Sequence, residues 1–463
     1  MANKLNTARQ YVLQNYNNGE DFRWDVLSGK LQIKSFCLQR SGLSGEAGLT
    51  EKRSSCHWQD IDSRLINTIA CHCASETGVS VSAMEVRTVL NSQDVPSVNP
   101  LRDYLQSLDE YVPQDHKGHS WIDWLSAQVH VVNGSRGVEE EGSRVQQRSG
   151  LSGEAGLSAQ RSSNAVWQHC FKKWFVAMVA SWLYDDVVNQ QVLVLIGKQG
   201  IYKTTWLEHL LPPCLRAYGT KMTNVRDLNK DERMRIAEFG LISLDEIDSM
   251  NDRELNQLKS LVTCSDINER AAYGYTKERR IRIASFCASG NNREFLTDQT
   301  GNRRWLPFDV ETIENPFAYG DGSVFPYDQI YGEALFLVRN GFNYWFDLED
   351  IAALETHVET FQKTTNEAEL LPVYFSPAQP GDAGAMFMSA AEISAMLVSY
   401  GNIRNPIQLQ KLSSIMQKQG FVQRKSNGKR GFVVYQNQDL LTQKKSLARN
   451  AVEENRDERD DVF

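Results

Sequence analysis

The sequence predicts an α/β protein whose core is a P-loop NTPase sheet. A mixed α+β region precedes the core and a winged-helix-like domain follows it. Three strand tips, in order along the chain, predict the core. The apolar run Val192–Ile196 leads into Gly197-Lys198-Gln199-Gly200-Ile201-Tyr202-Lys203-Thr204-Thr205 and then into a helix. The run Phe239-Gly240-Leu241-Ile242-Ser243-Leu244 ends in Asp245-Glu246. A third strand, Ile281–Ser289, ends in Gly290-Asn291-Asn292. Between Val192 and Val310, short apolar runs alternate with helical stretches, the texture of an α/β sheet.

The chain has 463 residues, long enough for several domains, and its 41% hydrophobic and 23% charged residues exclude global disorder. Lys+Arg 50 against Asp+Glu 58 gives a net charge of -8, which excludes a protein basic all over but leaves room for a local basic face. No apolar run reaches the length of a membrane span, and Met1–Gln10 lacks the apolar centre of a signal peptide, so a cytoplasmic protein without membrane contact is expected. The 8 Cys are scattered and are expected to be reduced thiols.

Taken in order, residues 1–38 read as a helix (5–16) and a β-hairpin. Phe22, Trp24 and Val26 alternate with polar residues, Ser28-Gly29 turns, and Leu31 and Ile33 alternate again. Residues 39–55 and 136–164 read as flexible inserts. The eleven letters QRSGLSGEAGL occur at 39–49 and again at 147–157, and five of the eleven are Gly or Ser, leaving little to bury. A duplicated recognition element is the alternative. Residues 56–135 form a helical N-terminal domain with Trp121, Trp124 and Leu125 on one face; Asp60-Ile61-Asp62 at its start reads as a helix cap rather than a metal motif. The ATPase domain spans 165–345. It opens with an amphipathic helix, Val166–Leu183, whose stripe of Trp167, Phe171, Trp174, Phe175, Met178 and Trp182 reads as core. Residues 346–384 are a helix and linker, with a polar Pro/Gly stretch at Ser376–Gly384. In the winged-helix-like domain, 385–438, Ser389 and Glu392 have capping-box spacing, and Asn405-Pro406 opens a second helix with Leu409, Leu412, Ile415 and Met416 on one side. Phe421–Tyr435 is a strand, a basic Asn427-Gly428 turn and a strand. A charged tail, 439–463, ends the chain.

The chemistry follows from the tips. Gly197 and Gly200 let backbone N–H groups close around phosphate, Lys203 adds a charge at the β/γ-phosphates of ATP, and the hydroxyl of Thr204, followed by Thr205, serves Mg²⁺. Tyr202 stands where this loop type carries glycine. Asp245 would hold Mg²⁺ and Glu246 would orient the attacking water; an N-cap pair for the helix from Asp252 is the other reading. Asn291 can bond the γ-phosphate or the water. Arg303-Arg304, in Thr300-Gly301-Asn302-Arg303-Arg304-Trp305, suit phosphate contact from the same or the next subunit.

Two basic stretches point to nucleic acid. Arg270–Arg282 combines Arg270, Lys277, Arg279, Arg280 and Arg282 with Tyr273 and Tyr275, which suits phosphate contact and base stacking on single-stranded DNA. An ordinary solvated hairpin is the alternative. In the C-terminal hairpin, Arg424, Lys425, Lys429 and Arg430 would touch the phosphates of a duplex, a protein-binding winged helix being the alternative.

These loop, strand-acid, Gly-Asn-Asn and Thr-Gly-Asn-Arg-Arg-Trp motifs, over about residues 60–345, resemble the virulence-associated protein E family. Its members are P-loop ATPases of mobile elements, similar to the helicase half of phage primase-helicases and to AAA+/superfamily III helicases. The resemblance implies that Asn291 is the sensor, that Arg303 or Arg304 is an arginine finger, and that the chain is a homo-oligomer, often a hexameric ring in related ATPases. It implies an ATP-hydrolysing, nucleic-acid-dependent motor, helicase-like, in replication of a phage, plasmid or genomic island. Two other classes stay open: a nucleotide-binding regulator that binds DNA without hydrolysis, and a structural protein with a decayed site.

Overall fold

A computed structural model describes residues 3–34, 58–108, 120–132, 163–222, 230–269, 278–296, 302–317, 325–363, 366–401, 407–426 and 428–437. Both copies of QRSGLSGEAGL, the acidic tail, and Tyr273 and Lys277 lie outside them. The chain divides into two units, Met1–Gln362 and Lys363–Phe463.

The first unit begins with the expected helix and hairpin. Helix α1 (Lys4–Asn15) precedes β1 (Phe22–Asp25) and β2 (Lys30–Lys34), antiparallel with Phe22 opposite Ile33. β3 (Trp58–Asp60) and β4 (Ser97–Val98) complete a sheet of order β3-β2-β1-β4. Phe22 and Ile33, on one face, pack on α1 and on helices α2 (Ser63–Thr77) and α3 (Ala83–Leu90). Asp62 caps α2, its carboxylate accepting from Leu65 N at 2.8 Å, as the cap reading required.

The stretch expected to be one helical domain, 56–135, is split. Its first half belongs to the sheet just described. Its second half, α4 (Pro100–Gln106), α5 (Trp121–Ala127) and β5 (Val129–Val131), joins the larger body, where Leu101, Leu105, Ile122 and Leu125 are buried with the central helix. That helix, α6 (Ser163–Leu183), is not amphipathic: the whole run Lys173–Trp182 is buried. The reason is that the sheet covers one side while α4, α5 and α10 (Tyr327–Arg339) cover the other. Its aromatic stripe is core, as expected, and each ring contributes roughly 2–3 kcal/mol by leaving water.

The main sheet has order β5-β12-β6-β11-β8-β7. β6 (Val192–Gly197), β7 (Gly219–Met222), β8 (Leu241–Leu244), β11 (Ser285–Gly290) and β12 (Trp305–Ile313) run parallel; β5 closes one edge antiparallel to β12. A sheet covered on both faces demands unbroken apolar strands. Accordingly Leu193 and Leu195 face the α6 side, while Val192, Val194 and Ile196 pack with Leu255, Leu258 and Leu261 of α9 (Asp252–Thr263). The expected third strand breaks in two. β10 (Glu278–Ile281) pairs with β9 (Asp266–Glu269) as a separate hairpin, and β11 enters the main sheet only after Arg282–Ala284. Arg282 enforces the break. It is 1% exposed, and its guanidinium donates to the carbonyls of Val262, Asn189 (2.7 Å) and Ala284 (3.1 Å), closing the C-terminal end of α9. It is therefore not part of a basic surface.

The boundary between units also differs from expectation. α11 (Leu348–Glu359) stays with the first unit, burying Leu354 and Val358. α12 (Asn366–Tyr374) and β13 (Phe375–Pro377), read as linker, belong to the second, because Leu371, Tyr374 and Phe375 are buried in its core. In that unit β14 (Met386–Met388), α13 (Ala390–Gly401), α14 (Leu409–Lys418), β15 (Val422–Ser426) and β16 (Lys429–Gln436) follow. Ser389 and Glu392 form the expected reciprocal cap at 2.7 and 3.3 Å. Leu412, Ile415 and Met416 are buried, whereas Leu409 is exposed.

Candidate active site

The glycine-rich loop joins β6 to helix α7 (Lys203–Glu208). A Cβ on Gly197 would meet the Val310 carbonyl at 2.5 Å, so only glycine lets β6 lie this close to β12. Gly200 is left-handed at φ 85°. Tyr202 is left-handed too, at φ 66° and ψ 16°, with its side chain 41% exposed. A tyrosine thus adopts a backbone conformation that favours glycine, at a cost of about 1–2 kcal/mol.

Lys203 is 7% exposed and points back across the loop. Its Nζ donates to the carbonyls of Gly197 (2.8 Å) and Lys198 (2.7 Å) and to Asn291 Oδ1 (3.2 Å). Burial lowers its pKa, and the charge of Asp248 opposes that shift. Thr204 Oγ1 donates to Asp245 Oδ1 at 2.9 Å and lies 3.0 Å from Ser289 Oγ; Ser289 also donates to Asp245 Oδ1 at 2.9 Å. Three strand ends therefore converge: β6 supplies the loop, β8 supplies Asp245, and β11 supplies Ser289 and Asn291. Together with Thr205 and Glu246 these residues line a cleft of about 440 Å³.

Glu246 is exposed and left-handed at φ 53° and ψ 48°, a conformation that a non-glycine residue adopts at a cost of about 1–3 kcal/mol. It does not cap α9. Asn251 does, accepting from Arg253 N and Glu254 N at 3.0 and 3.1 Å, with Glu254 reaching back to Asn251 N. The capping alternative for Asp245-Glu246 is thereby removed. The hydroxyls of Thr204 and Ser289 and the carboxylate of Asp245 are hard oxygen donors, few enough to leave room for water and phosphate, which fits Mg²⁺.

Three residues of this site were not foreseen. Ser289 has a weak signal, a polar residue closing an otherwise apolar strand. Lys221, on β7, has none: its Nζ lies 2.5 Å from Glu208 and 3.7 Å from Asp245 Oδ2, and these carboxylates raise its pKa. Asp248 accepts from Asn292 N at 2.9 Å and so fixes the turn that presents Asn291.

Arg303 and Arg304 do not join the cleft. They immediately precede β12, whose first residue, Trp305, pairs with Val192, while Val310 pairs with Gly197. Five residues of strand, roughly 16 Å at 3.3 Å each, separate them from the loop. Contact within one subunit is corrected by this placement.

The basic stretches fare differently. Arg279 donates to Asp266 Oδ2 through Nε (3.0 Å) and NH2 (2.7 Å), and Arg280, mostly buried, lies 3.7 Å from Glu238. Both arginines thus have carboxylate partners, while the Arg279 side chain stays exposed. In the C-terminal hairpin Arg424, Lys425, Lys429 and Arg430 are all exposed, and Lys425 stands directly opposite Arg430. Like charges in such a cross-strand pair destabilise a hairpin.

No helix among the described residues is long and apolar enough to cross a membrane. No curated protein sequence matches the chain. Among solved structures, the chain is similar to the A-form apo structure of the NrS-1 C terminal region. The match has 11% identity and a TM-score of 0.41, covering 93% of this chain and 99% of that one. It is similar to a further apo structure of the NrS-1 C terminal region at 12% identity, TM-score 0.41 and the same coverage. Residues 155–367 match the virulence-associated protein E-like domain. That match supports the resemblance to the virulence-associated protein E family carried by the loop, strand-acid and Gly-Asn-Asn motifs, all of which lie inside it.

Proposed function

We propose that the protein is a P-loop ATPase that works on nucleic acid in the replication of a mobile element. One observation carries this reading: Lys203, Thr204, Asp245, Ser289 and Asn291, from three strand ends, meet in one cleft at the C-terminal edge of a parallel sheet, where such folds bind ligands. Lys203 exchanges its loop carbonyls for β/γ-phosphate oxygens of ATP. Mg²⁺, when bound, neutralises charge developing on the phosphates. Thr204, Asp245 and Ser289 are the side chains that would hold it. Asn291, released from Lys203, is free to bond the γ-phosphate or the water. Glu246, exposed at the rim, orients the attacking water and accepts its proton.

Arg303 and Arg304, on the far edge of the sheet, serve the cleft of a neighbouring subunit, which makes a ring the working form. The helix–helix–hairpin of the second unit acts as a winged helix, and the Lys425–Arg430 pair is stabilised by duplex phosphates lying across it.

The test is phosphate release with and without single-stranded DNA, on the wild type and on Glu246→Gln. The reading expects DNA-stimulated turnover in the first, and ATP binding without turnover in the second. Wild-type turnover in Glu246→Gln would overturn the assignment of the water-orienting carboxylate.

A further inference from the structure

A second cavity, of about 590 Å³, lies in the first unit between the polar face of the N-terminal sheet and the segment 213–218. Register puts Arg23, Gln32, Lys34, Trp58 and Asp60 on one face of that sheet, opposite the face that packs on helices. A face buried only for stability would be apolar, because burying a polar group costs free energy unless every bond is remade. Here it carries charges of both signs, Arg23, Lys30 and Lys34 with Asp25 and Asp60, beside the Trp58 ring; Lys30 pairs with Asp60 and Lys34 lies 3.7 Å from Asp21, which leaves Arg23 as the buried cation toward the cavity.

Arg23 is 7% exposed, and its guanidinium carbon lies over the Trp58 ring, 4.3 Å from the centroid. Nε is satisfied by Gln32 Oε1 at 2.9 Å, and Tyr218 is a further partner. Its carboxylate neighbours do not close on it. Asp103 Oδ2 is 4.0 Å away, and Asp25 is engaged with Leu27 N, Ser28 Oγ and Tyr218 OH. Burial accordingly lowers its pKa. Arg216, exposed, lines the same cavity, as does Tyr104. Arg23, Arg216 and Asp103 line a space large enough for an organic anion; Asp25 also acts on Arg23 from its own strand, and Arg216 has the Tyr327 hydroxyl as a neutral partner.

We propose that this cavity binds a nucleotide unit, its phosphate held by Arg23 and Arg216 and its base against the aromatic wall of Trp58 and Tyr104. Guanidinium forks match phosphate oxygens, and base–aromatic stacking is tolerant of sequence. The phosphate belongs either to a free mononucleotide or to a single strand. The site is separate from the cleft at Lys203 and does not depend on its assignment.

The test uses the full chain carrying Lys203→Ala, so that the other cleft contributes little. Deoxythymidine monophosphate is titrated by calorimetry, and a fluorescein-labelled deoxythymidine octamer by anisotropy. Saturable binding of at least one probe is expected, weakened five-fold or more by Arg216→Gln and by Trp58→Ala at unchanged melting temperature. A mononucleotide that binds as tightly as the octamer identifies a free nucleotide; binding of the octamer alone identifies a strand. Arg216→Gln replaces an exposed side chain, so a folding defect does not blur the result. Absence of binding by both probes, or affinities unaltered in that variant, overturns the proposal. ATP affinity without the Lys203→Ala change is measured separately and reports on the other cleft alone.

Discussion

Replacing Lys203 by alanine separates what the lysine does in the empty cleft from what it does to a phosphate. In the empty cleft the ammonium already has three acceptors, two carbonyls and an amide oxygen. On the proposed reading, binding ATP exchanges neutral acceptors for anionic ones. The ammonium makes both sets of bonds charge-assisted, about 1.5–3 kcal/mol each; moving from the lower end with carbonyls to the upper end with phosphate gains on the order of 1–2 kcal/mol. That corresponds to a roughly 5–30-fold loss of ATP affinity in Lys203→Ala. The effect on turnover is larger, because charge accumulates on the transferring group. Removing one donor aimed at such charge costs about 3–4 kcal/mol, or 10²–10³-fold. Stability changes little, since Asn291 lines the open cleft and removing the lysine side chain leaves room beside it for water to reach the abandoned acceptors. Calorimetry gives the affinity, phosphate release at saturating ATP the turnover, and thermal melting the stability. Turnover within three-fold of wild type at saturating ATP, in a protein that melts normally, would refute the reasoning.

Three further outcomes follow from other parts of the molecule. Arg282→Met leaves the carbonyls of Asn189, Val262 and Ala284 without this donor, and at about 1–3 kcal/mol for each buried group left unsatisfied, urea unfolding should show a loss of about 3 kcal/mol or more. A loss under 1 kcal/mol would mean that the chain re-satisfies them. If Arg303 and Arg304 serve a neighbour's cleft, the double alanine variant and Lys203→Ala should each be inactive alone and recover part of the ATPase when mixed; no recovery at any ratio would place these arginines in another role. Neutralising Lys429 and Arg430 together should lower the salt slope of duplex binding by about two, one for each phosphate that no longer meets a cation. An unaltered slope would remove the hairpin from the DNA surface.

The core was legible because its signals are local and repeated. An apolar strand with a polar tip, three times over, points to the sheet and to the edge where the tips meet; Val192–Thr204 and Leu241–Glu246 were placed from that pattern, whereas the third strand, read as Ile281–Ser289, enters the sheet only from Ser285. What was missed depends on residues far apart in sequence. The ion pairs of Arg279 and Arg280 with Asp266 and Glu238 form only through the fold of β9, β10 and the end of α8 (Lys230–Glu238). Arg282 looked like one more surface charge, yet three backbone carbonyls make it an internal clamp. Lys221 has no local pattern at all; it becomes part of the site because β7 lies beside β8. The edge-strand role of Val129–Val131 was likewise invisible, since three residues of alternating burial resemble many loops.

That edge strand decides how the protein can be divided. The family match begins at residue 155, downstream of β5, yet β5 covers the outer side of β12. A fragment cut at the match would leave the backbone donors and acceptors of β12 without their partner and would uncover the apolar surface that α5 lays on α6. An exposed parallel-sheet edge of this kind is a template for association between chains. The practical lower limit of a fragment that keeps the main sheet intact is therefore Pro100, the start of α4, rather than the limit set by sequence similarity.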